Sequence, residues 1–404
     1  MNRKVQEHRS GILVAAIAVL VNCQPVAVAA SADNLKIIPR PAIVEPGEGV
    51  FVLTRQTPIA ADGSSVSLKR MSLLLRDAVR TQTGMSLTLK DAKTTVASSG
   101  GGISLLINAQ PTELGTEGYE LMISPERVTV RADEEAGIFY GIQSLVQMLS
   151  PALSANPGAP ATDRTHLSAL RIVDRPSFAW RGLLLDCSRT FLALEYLKKC
   201  VDVCSFYKMN VLQLHLTDDQ GWRLQIHKHP RLTAVGSKFD ARFVGEVSGY
   251  YPQRQMRELV QYAAERQVTT VPEIEMPAHC LSLLKSYPEL SCRGGADQYV
   301  IAPFLFMSDQ NPQKTPQTPY GVLCPGNEKT FQVLEDILVE VIALFPGEYI
   351  HIAGDECPKS YWKVCTKCQE RMKKEGLENE EELQSYFIKR VAQMIQARGR
   401  KVLG

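Results

Sequence analysis

The chain has 404 residues, long enough for two domains with cores of their own. Hydrophobic residues make up 45% and charged residues 22%, the balance of an ordinary globular protein. A net charge of +2 gives no general electrostatic case for nucleic acid or an anionic membrane as partner.

The N-terminus reads as a targeting segment. Arg3, Lys4 and Arg9 form a positive region, residues 11–21 are an apolar core, and Ala27-Val28-Ala29 offers a small-x-small cleavage site. Residues 1–30 are therefore expected to be a signal peptide, and the protein to be exported to a periplasmic or extracellular space. The apolar run is too short for a comfortable, stable membrane span. Asn22 is an awkward residue before Cys23 for a lipoprotein. Export implies an oxidising compartment, so the nine cysteines after Cys23 include candidates for disulfides, and their odd number leaves at least one free or intermolecular. Cys365-x-x-Cys368 has no second pair at metal spacing, which favours a local disulfide or free thiols over zinc. Cys292 and Cys324 flank a Gly/Pro-rich loop and are candidates to staple it.

Residues 31–172 have the pattern of a small α/β domain. Residues 50–53 predict a strand. Residues 68–81 predict a helix, with Met71, Leu74, Leu75 and Val79 at helical spacing. A strand follows over 103–108, then a hairpin of 119–123 with 128–131 around Pro125. Residues 136–149 predict a helix with Ile138, Ile142, Leu145, Val146 and Leu149 on one face. No catalytic groups cluster here, so the domain is expected to support the rest. Residues 151–165, rich in Pro, Ala, Ser and Gly, predict a loop or junction.

Over 173–404 the pattern becomes strand–helix alternation. Predicted strands cover 182–185, 211–216, 269–274, 349–356 and 401–403. Predicted helices cover 194–207, 254–265, 331–345 and 380–397. Such units point to parallel β-structure, and acids at several strand ends fit a (β/α)8 TIM barrel with its site at the C-terminal ends of the strands. About five strands are counted before Gly404, where a barrel has eight.

Candidate chemistry sits at those strand ends. Arg189 follows the first, and its fork of donors suits hydroxyl pairs or carboxylates. Asp218 opens a loop, Asp218-Asp219-Gln220-Gly221-Trp222-Arg223, that packs acids, an amide and an aromatic together. His279 sits just past the third strand. Asp355 and Glu356 end the strand over 349–356. Neighbours on a strand point to opposite sides. They cannot flank one bond as a separated nucleophile and acid; one is expected to donate a proton while the other holds something in place. Trp222 and Trp362 are either core residues or surfaces for stacking on a sugar face.

Four ordered blocks over about 175 residues carry a resemblance. They are residues 181–189 (Arg-Gly-Leu-Leu-Leu-Asp-Cys-Ser-Arg) and residues 208–223, from Lys208-Met209-Asn210 to Gly221-Trp222-Arg223. Residues 271–279 (Val-Pro-Glu-Ile-Glu-Met-Pro-Ala-His) and 351–356 (His-Ile-Ala-Gly-Asp-Glu) complete the set. The chain resembles the β-N-acetylhexosaminidases of glycoside hydrolase family 20, and residues from about 35 to 172 resemble the small α/β domain that precedes the barrel in that family. The resemblance implies an exo-acting, retaining hydrolase that removes terminal β-linked N-acetylglucosamine or N-acetylgalactosamine from oligosaccharides or glycoconjugates. In that mechanism the substrate's own acetamido oxygen is the nucleophile. Glu356 would be the acid and then the base, and Asp355 would orient the acetamido nitrogen. Arg189 would bind hydroxyls of the sugar, while Asp218 and His279 would form a relay to Glu356. No metal or organic cofactor is implied.

There are departures. Ala353 and Ala278 stand where the family usually has glycine, Glu275 where aspartate is common, and Thr190 where histidine is common. In the family the strand beginning at Lys401 runs on into a tryptophan and further acids, and later strands supply the aromatic walls and a tyrosine of the acetamido pocket. The sequence is accordingly expected to be a truncated or partial family member. The competing expectation is a non-catalytic remnant or sugar-binding fragment. A third class, hydrolysis by metal-bound water, has no ligand cluster in the sequence behind it.

Overall fold

The computed structural model describes residues 35–91, 101–149, 164–241, 243, 248–295, 299–303 and 321–404. The targeting segment and most of the Pro/Ala/Ser/Gly-rich loop over 151–165 lie outside them.

The first body is a seven-stranded mixed sheet in the order β1-β7-β5-β6-β4-β2-β3. Its strands are β1 (Ile43–Thr54), β2 (Pro58–Ala61), β3 (Thr88–Asp91), β4 (Ile103–Ile107), β5 (Tyr119–Ile123), β6 (Val128–Ala132) and β7 (Arg164–Asp174). Two helices lie against it, α1 (Val66–Thr83) and α2 (Glu135–Leu149). Helix α1 starts where the Ser65 hydroxyl accepts from the Leu68 N–H, and it stops at Gly84, whose φ of +75° suits a residue without Cβ. Between those caps Leu68, Met71, Leu75 and Val79 are buried, each contributing about 2 kcal/mol of apolar burial.

The predicted hairpin forms as β5 and β6, closed by the Ser124 N–H donating to the Arg127 carbonyl at 2.9 Å. Strand β7 was not legible in the sequence, although it pairs with both β1 and β5. Its buried positions change phase at Ala169 and Leu170, opposite the register irregularity between Pro46 and Val50 of β1. A bulge of this kind breaks the simple alternation that marks a strand.

The second body holds five parallel strands in the order β14-β13-β12-β9-β8. They are β8 (Gly182–Asp186), β9 (Val211–His215), β12 (Thr269–Glu273), β13 (Tyr349–His351) and β14 (Lys401–Leu403). A two-stranded ribbon, β10 (Thr217–Asp218) with β11 (Gly221–Trp222), follows β9. Helices α3 (Leu194–Phe206), α4 (Gln253–Ala264), α6 (Glu328–Leu344) and α9 (Glu380–Gln396) alternate with the strands. Shorter helices α5 (Leu281–Ser286), α7 (Ser360–Val364) and α8 (Thr366–Glu375) fill the loops that follow β12 and β13. Leu197, Leu259, Leu334 and Phe387, one from each long helix, are buried in the common core. The alternation is that of a (β/α) barrel preceded by a small α/β domain.

One register row sets the level of the polar side chains. Asp186 pairs with His215, His215 with Glu273, Glu273 with His351, and His351 with Leu403. Four titratable side chains therefore stand side by side at the C-terminal ends of adjacent strands.

Strand β13 is shorter than the sequence suggests. It ends at His351, and Asp355 and Glu356 stand in the loop beyond. Ala353, Gly354 and Glu356 have φ values of 52°, 111° and 42°. Left-handed backbone at three of four consecutive positions cannot continue a strand.

The two bodies meet over buried charge. Lys208 Nζ lies 3.1 Å from Asp174 Oδ2 and donates to the Tyr119 hydroxyl at 2.8 Å. Nearby, both terminal nitrogens of Arg181 donate to Glu117, at 3.0 and 3.2 Å. Lys208→Ala would leave the Asp174 carboxylate buried without its cation. It is expected to cost about 3 kcal/mol in urea denaturation, whereas Glu195→Ala, at an exposed ion pair, is expected to leave the midpoint unchanged.

Candidate active site

The site is built around Asp218, whose side chain is 1% exposed. A buried carboxylate must be matched by charge and hydrogen bonds. Arg189 Nη2 lies 2.6 Å from Asp218 Oδ2, and His215 Nε2 lies 3.0 Å from the same oxygen. His279 Nδ1 lies 3.5 Å from Oδ1, which also accepts from the Asp219 N–H at 2.5 Å. Three strand ends thus converge on one carboxylate.

The ribbon that carries Asp218 is locked from behind by Arg223, a fully buried side chain. Its guanidinium donates to the carbonyls of Ser188, Gln220, Ser237 and Gly249. Ser188 precedes Arg189 and Gln220 follows Asp219, so this one cage fixes both loops. A Cβ on Gly221 would fall 2.2 Å from the Arg223 guanidinium carbon, so the turn requires glycine there.

Arg189 is also held by Asp186. Its N–H donates to Oδ1 at 2.9 Å and its Nη1 to Oδ2 at 3.1 Å. Behind Asp218, His215 Nδ1 lies 3.1 Å from Glu273 Oε2, and Gln213 donates to the same oxygen at 2.7 Å. Glu275 is buried, and its N–H donates to the Thr217 hydroxyl.

His279, at φ 52°, reaches from Asp218 toward solvent. Its Nε2 lies 3.5 Å from Glu356 Oε2. One oxygen each of Asp355 and Glu356 and a ring nitrogen of His279 lie within 4.8 Å of one another. The expectation that the two acids point to opposite sides of a strand is therefore corrected. The left-handed loop turns both carboxylates to one place, and Gln384 of α9 steadies it by donating to the Gly354 carbonyl at 2.6 Å. Both acids face solvent.

A cleft of about 700 Å³ opens beside this line, with Leu184, Arg189, Glu275, Asp355 and Ile388 in its walls. That is within the range of small-ligand sites. Trp222 and Trp362 do not face it. Both are buried, with their indole N–H groups donating to the carbonyls of Leu224 and Leu323, so they pack the core instead of offering a stacking surface.

All five residues singled out from the sequence, Arg189, Asp218, His279, Asp355 and Glu356, come together. His215, Glu273, Glu275 and His351 complete the network. Three of these four end register-paired strands, a signal that becomes readable only once the register is known.

Burial works against charge on His215, but its hydrogen bonds to Asp218 and Glu273 outweigh this and raise its pKa to about 10. The hydrogen bond to Asp218 lifts His279 to about 9. Asp218 is held well below the usual carboxylate range: burial opposes this, but the two histidines and Arg189 prevail. Burial pushes the Glu275 carboxyl up to about 8.

These directions fix the pH dependence of stability. The two histidines hold protons more tightly folded than unfolded, so their contribution is complete below their ordinary value of 6.5 and is lost as pH rises through about 9 and 10. Glu275 adds a loss of the same sign between its ordinary 4.5 and about 8. The melting temperature is expected to fall between pH 6.5 and 10, and His279→Gln is expected to flatten part of that slope. A flat profile in the parent protein would contradict the network.

A parallel strand–helix sheet with a carboxylate pair, a histidine and a buried aspartate at its C-terminal ends has the layout of a βα-barrel hydrolase. Residues 178–404 match the model of the glycosyl hydrolase family 20 catalytic domain, and residues 34–175 match that of the family's domain 2. The chain belongs to glycosyl hydrolase family 20. It is 37% identical over 371 residues to a beta-hexosaminidase of Porphyromonas gingivalis, covering 92% of this chain and 45% of that protein. The crystal structure of a beta-N-acetylhexosaminidase from Bacteroides fragilis matches with a TM-score of 0.73 at 33% identity, over 91% of this chain and 65% of that one. An exo beta-N-acetylglucosaminidase from Vibrio harveyi, solved in complex with N-acetylglucosamine, matches with a TM-score of 0.76 at 25% identity, over 92% of this chain and 55% of that one. The chain spans about half the length of the curated relatives it matches.

Proposed function

We propose that the protein is an exported exo-β-N-acetylhexosaminidase, acting on oligosaccharides or glycoconjugates that end in β-linked N-acetylglucosamine or N-acetylgalactosamine. The observation that carries this reading is the line Glu356–His279–Asp218–Arg189, with Asp355 beside Glu356 at the mouth of the cleft.

The reaction is substrate-assisted. The acetamido oxygen of the bound sugar attacks the anomeric carbon as the glycosidic C–O bond breaks. Glu356 gives its proton to the leaving oxygen, and an oxazolinium-type intermediate forms. Asp355 accepts from the acetamido N–H, aligns the group and offsets its growing positive charge. Glu356, now a carboxylate, takes a proton from water as that water attacks the same carbon. The intermediate reopens with its configuration retained. His279, kept protonated by Asp218, stabilises the carboxylate form of Glu356 between the two steps. Arg189 binds hydroxyls of the terminal sugar, held rigid by Asp186 and Asp218.

A second reading, a form without turnover, is favoured by one observation. Leu184, on β8 at the edge of the sheet, is 50% exposed beside the cleft, so the inner face is open among the described residues. We read the sequence as part of a longer enzyme whose further residues cover that face, which also agrees with its share of its relatives' length. Release of nitrophenol from a β-N-acetylglucosaminide is the test, made on the 404-residue chain and on the product of the complete coding sequence. The complete protein is expected to be active, and Glu356→Gln to lower its kcat by about 10²-fold or more. A folded, inactive complete protein would overturn the enzyme reading. Export is supported by the N-terminal targeting segment, and N-terminal sequencing of the mature protein is expected to begin just past the Ala27-Val28-Ala29 site.

A further inference from the structure

The lone Cys365-x-x-Cys368 pair is not alone in the fold. Cys292 and Cys324, distant in sequence, complete a group of four whose sulfurs all lie within 4.8 Å of one another. The nearest separations are 3.6 Å for Cys292–Cys368, 3.6 Å for Cys324–Cys368 and 3.8 Å for Cys324–Cys365. A tetrahedral ion with metal–sulfur bonds of about 2.3 Å sets its sulfurs about 3.8 Å apart. We propose that Cys292, Cys324, Cys365 and Cys368 bind a structural zinc ion as four thiolates.

Backbone geometry builds the cage. Cys292 and Cys324 are set side by side by a bridge between Ser291 and Leu323 and by the Cys324 N–H donating to the Leu290 carbonyl at 2.8 Å. Cys365 ends α7 and precedes α8, and Cys368 lies in the first turn of α8. The two halves approach closely at Gly326, where a Cβ would fall 2.2 Å from the Lys367 carbonyl. Cys324 and Cys368 are fully buried and Cys292 and Cys365 partly so, as in a closed structural site without an open position. Binding displaces the thiol protons to solvent and needs no oxidant.

The cage staples the loops that carry the catalytic groups. Leu323, next to Cys324, donates its N–H to the carbonyl of Pro277, two residues before His279. Ala278 and Cys357 pack in the same apolar cluster as Cys324, Cys368 and Trp362, and Cys357 follows Glu356 directly. A bound ion would hold the His279 and Glu356 loops in register without touching substrate, a role independent of the proposed activity.

The test is metal analysis of the purified full protein, prepared without added metal. About one zinc per chain is expected, with an X-ray absorption edge fitted by four sulfurs at about 2.3 Å. Cys365→Ser and Cys292→Ser should lose the zinc while Cys200→Ser keeps it. Since the first two variants can fail to fold, the parent protein is also denatured without reductant in the presence of a chelator. All four thiols should then be free to alkylation. Disulfides among these four in the denatured parent, fewer than about 0.1 zinc per chain, or the absorption of an iron tetrathiolate would each overturn the proposal.

Discussion

The buried carboxylate of Asp218 is the constraint on which the site depends. Removed from water, it is stable only if several donors surround it, and the fold supplies Arg189, His215, His279 and the Asp219 N–H. They come from three strand ends, so satisfying one charge brings together the ends of β8, β9 and β12. Arg189 and the two histidines face the carboxylates of Asp218 and Glu273, and burial pushes Glu275 up to about 8. The outermost member, His279, extends the network to Glu356 at the surface.

Aim is set by backbone more than by side-chain choice. Gly221 leaves room for the Arg223 guanidinium, and that guanidinium gathers the carbonyls of both loops that flank Asp218. Left-handed residues at 353, 354 and 356 end β13 early and turn two neighbouring acids to one side. Non-glycine residues in that region carry strain, which here delivers both carboxylates to the same place beside His279. Neighbouring acids on a straight strand would diverge instead.

The four-cysteine group stands behind this arrangement. Among the described residues the loops after β12 and β13 hold only short helices, so little regular structure there fixes them relative to each other. The apolar cluster of Ala278, Cys357, Trp362 and Leu383 does part of that work, and the cysteines at its edge join the same segments. The Lys208–Asp174 pair acts at the opposite ends of the strands, just before β9, where it ties the two bodies together.

Periodicity in the sequence determined most helices and strands, because helical and alternating burial are local patterns. It also marked Arg189, Asp218, His279, Asp355 and Glu356 as polar groups following apolar runs. Strand β7 escaped because a bulge shifts its phase, and β13 was read too long because positive φ at Ala353 and Glu356 leaves no trace in residue type. Tertiary structure alone decided the register row of Asp186, His215, Glu273 and His351, the burial of Trp222 and Trp362, and the meeting of Cys292 and Cys324 with Cys365 and Cys368. Those facts depend on pairing between residues tens of positions apart, and one chain read in order carries no record of which distant segments touch.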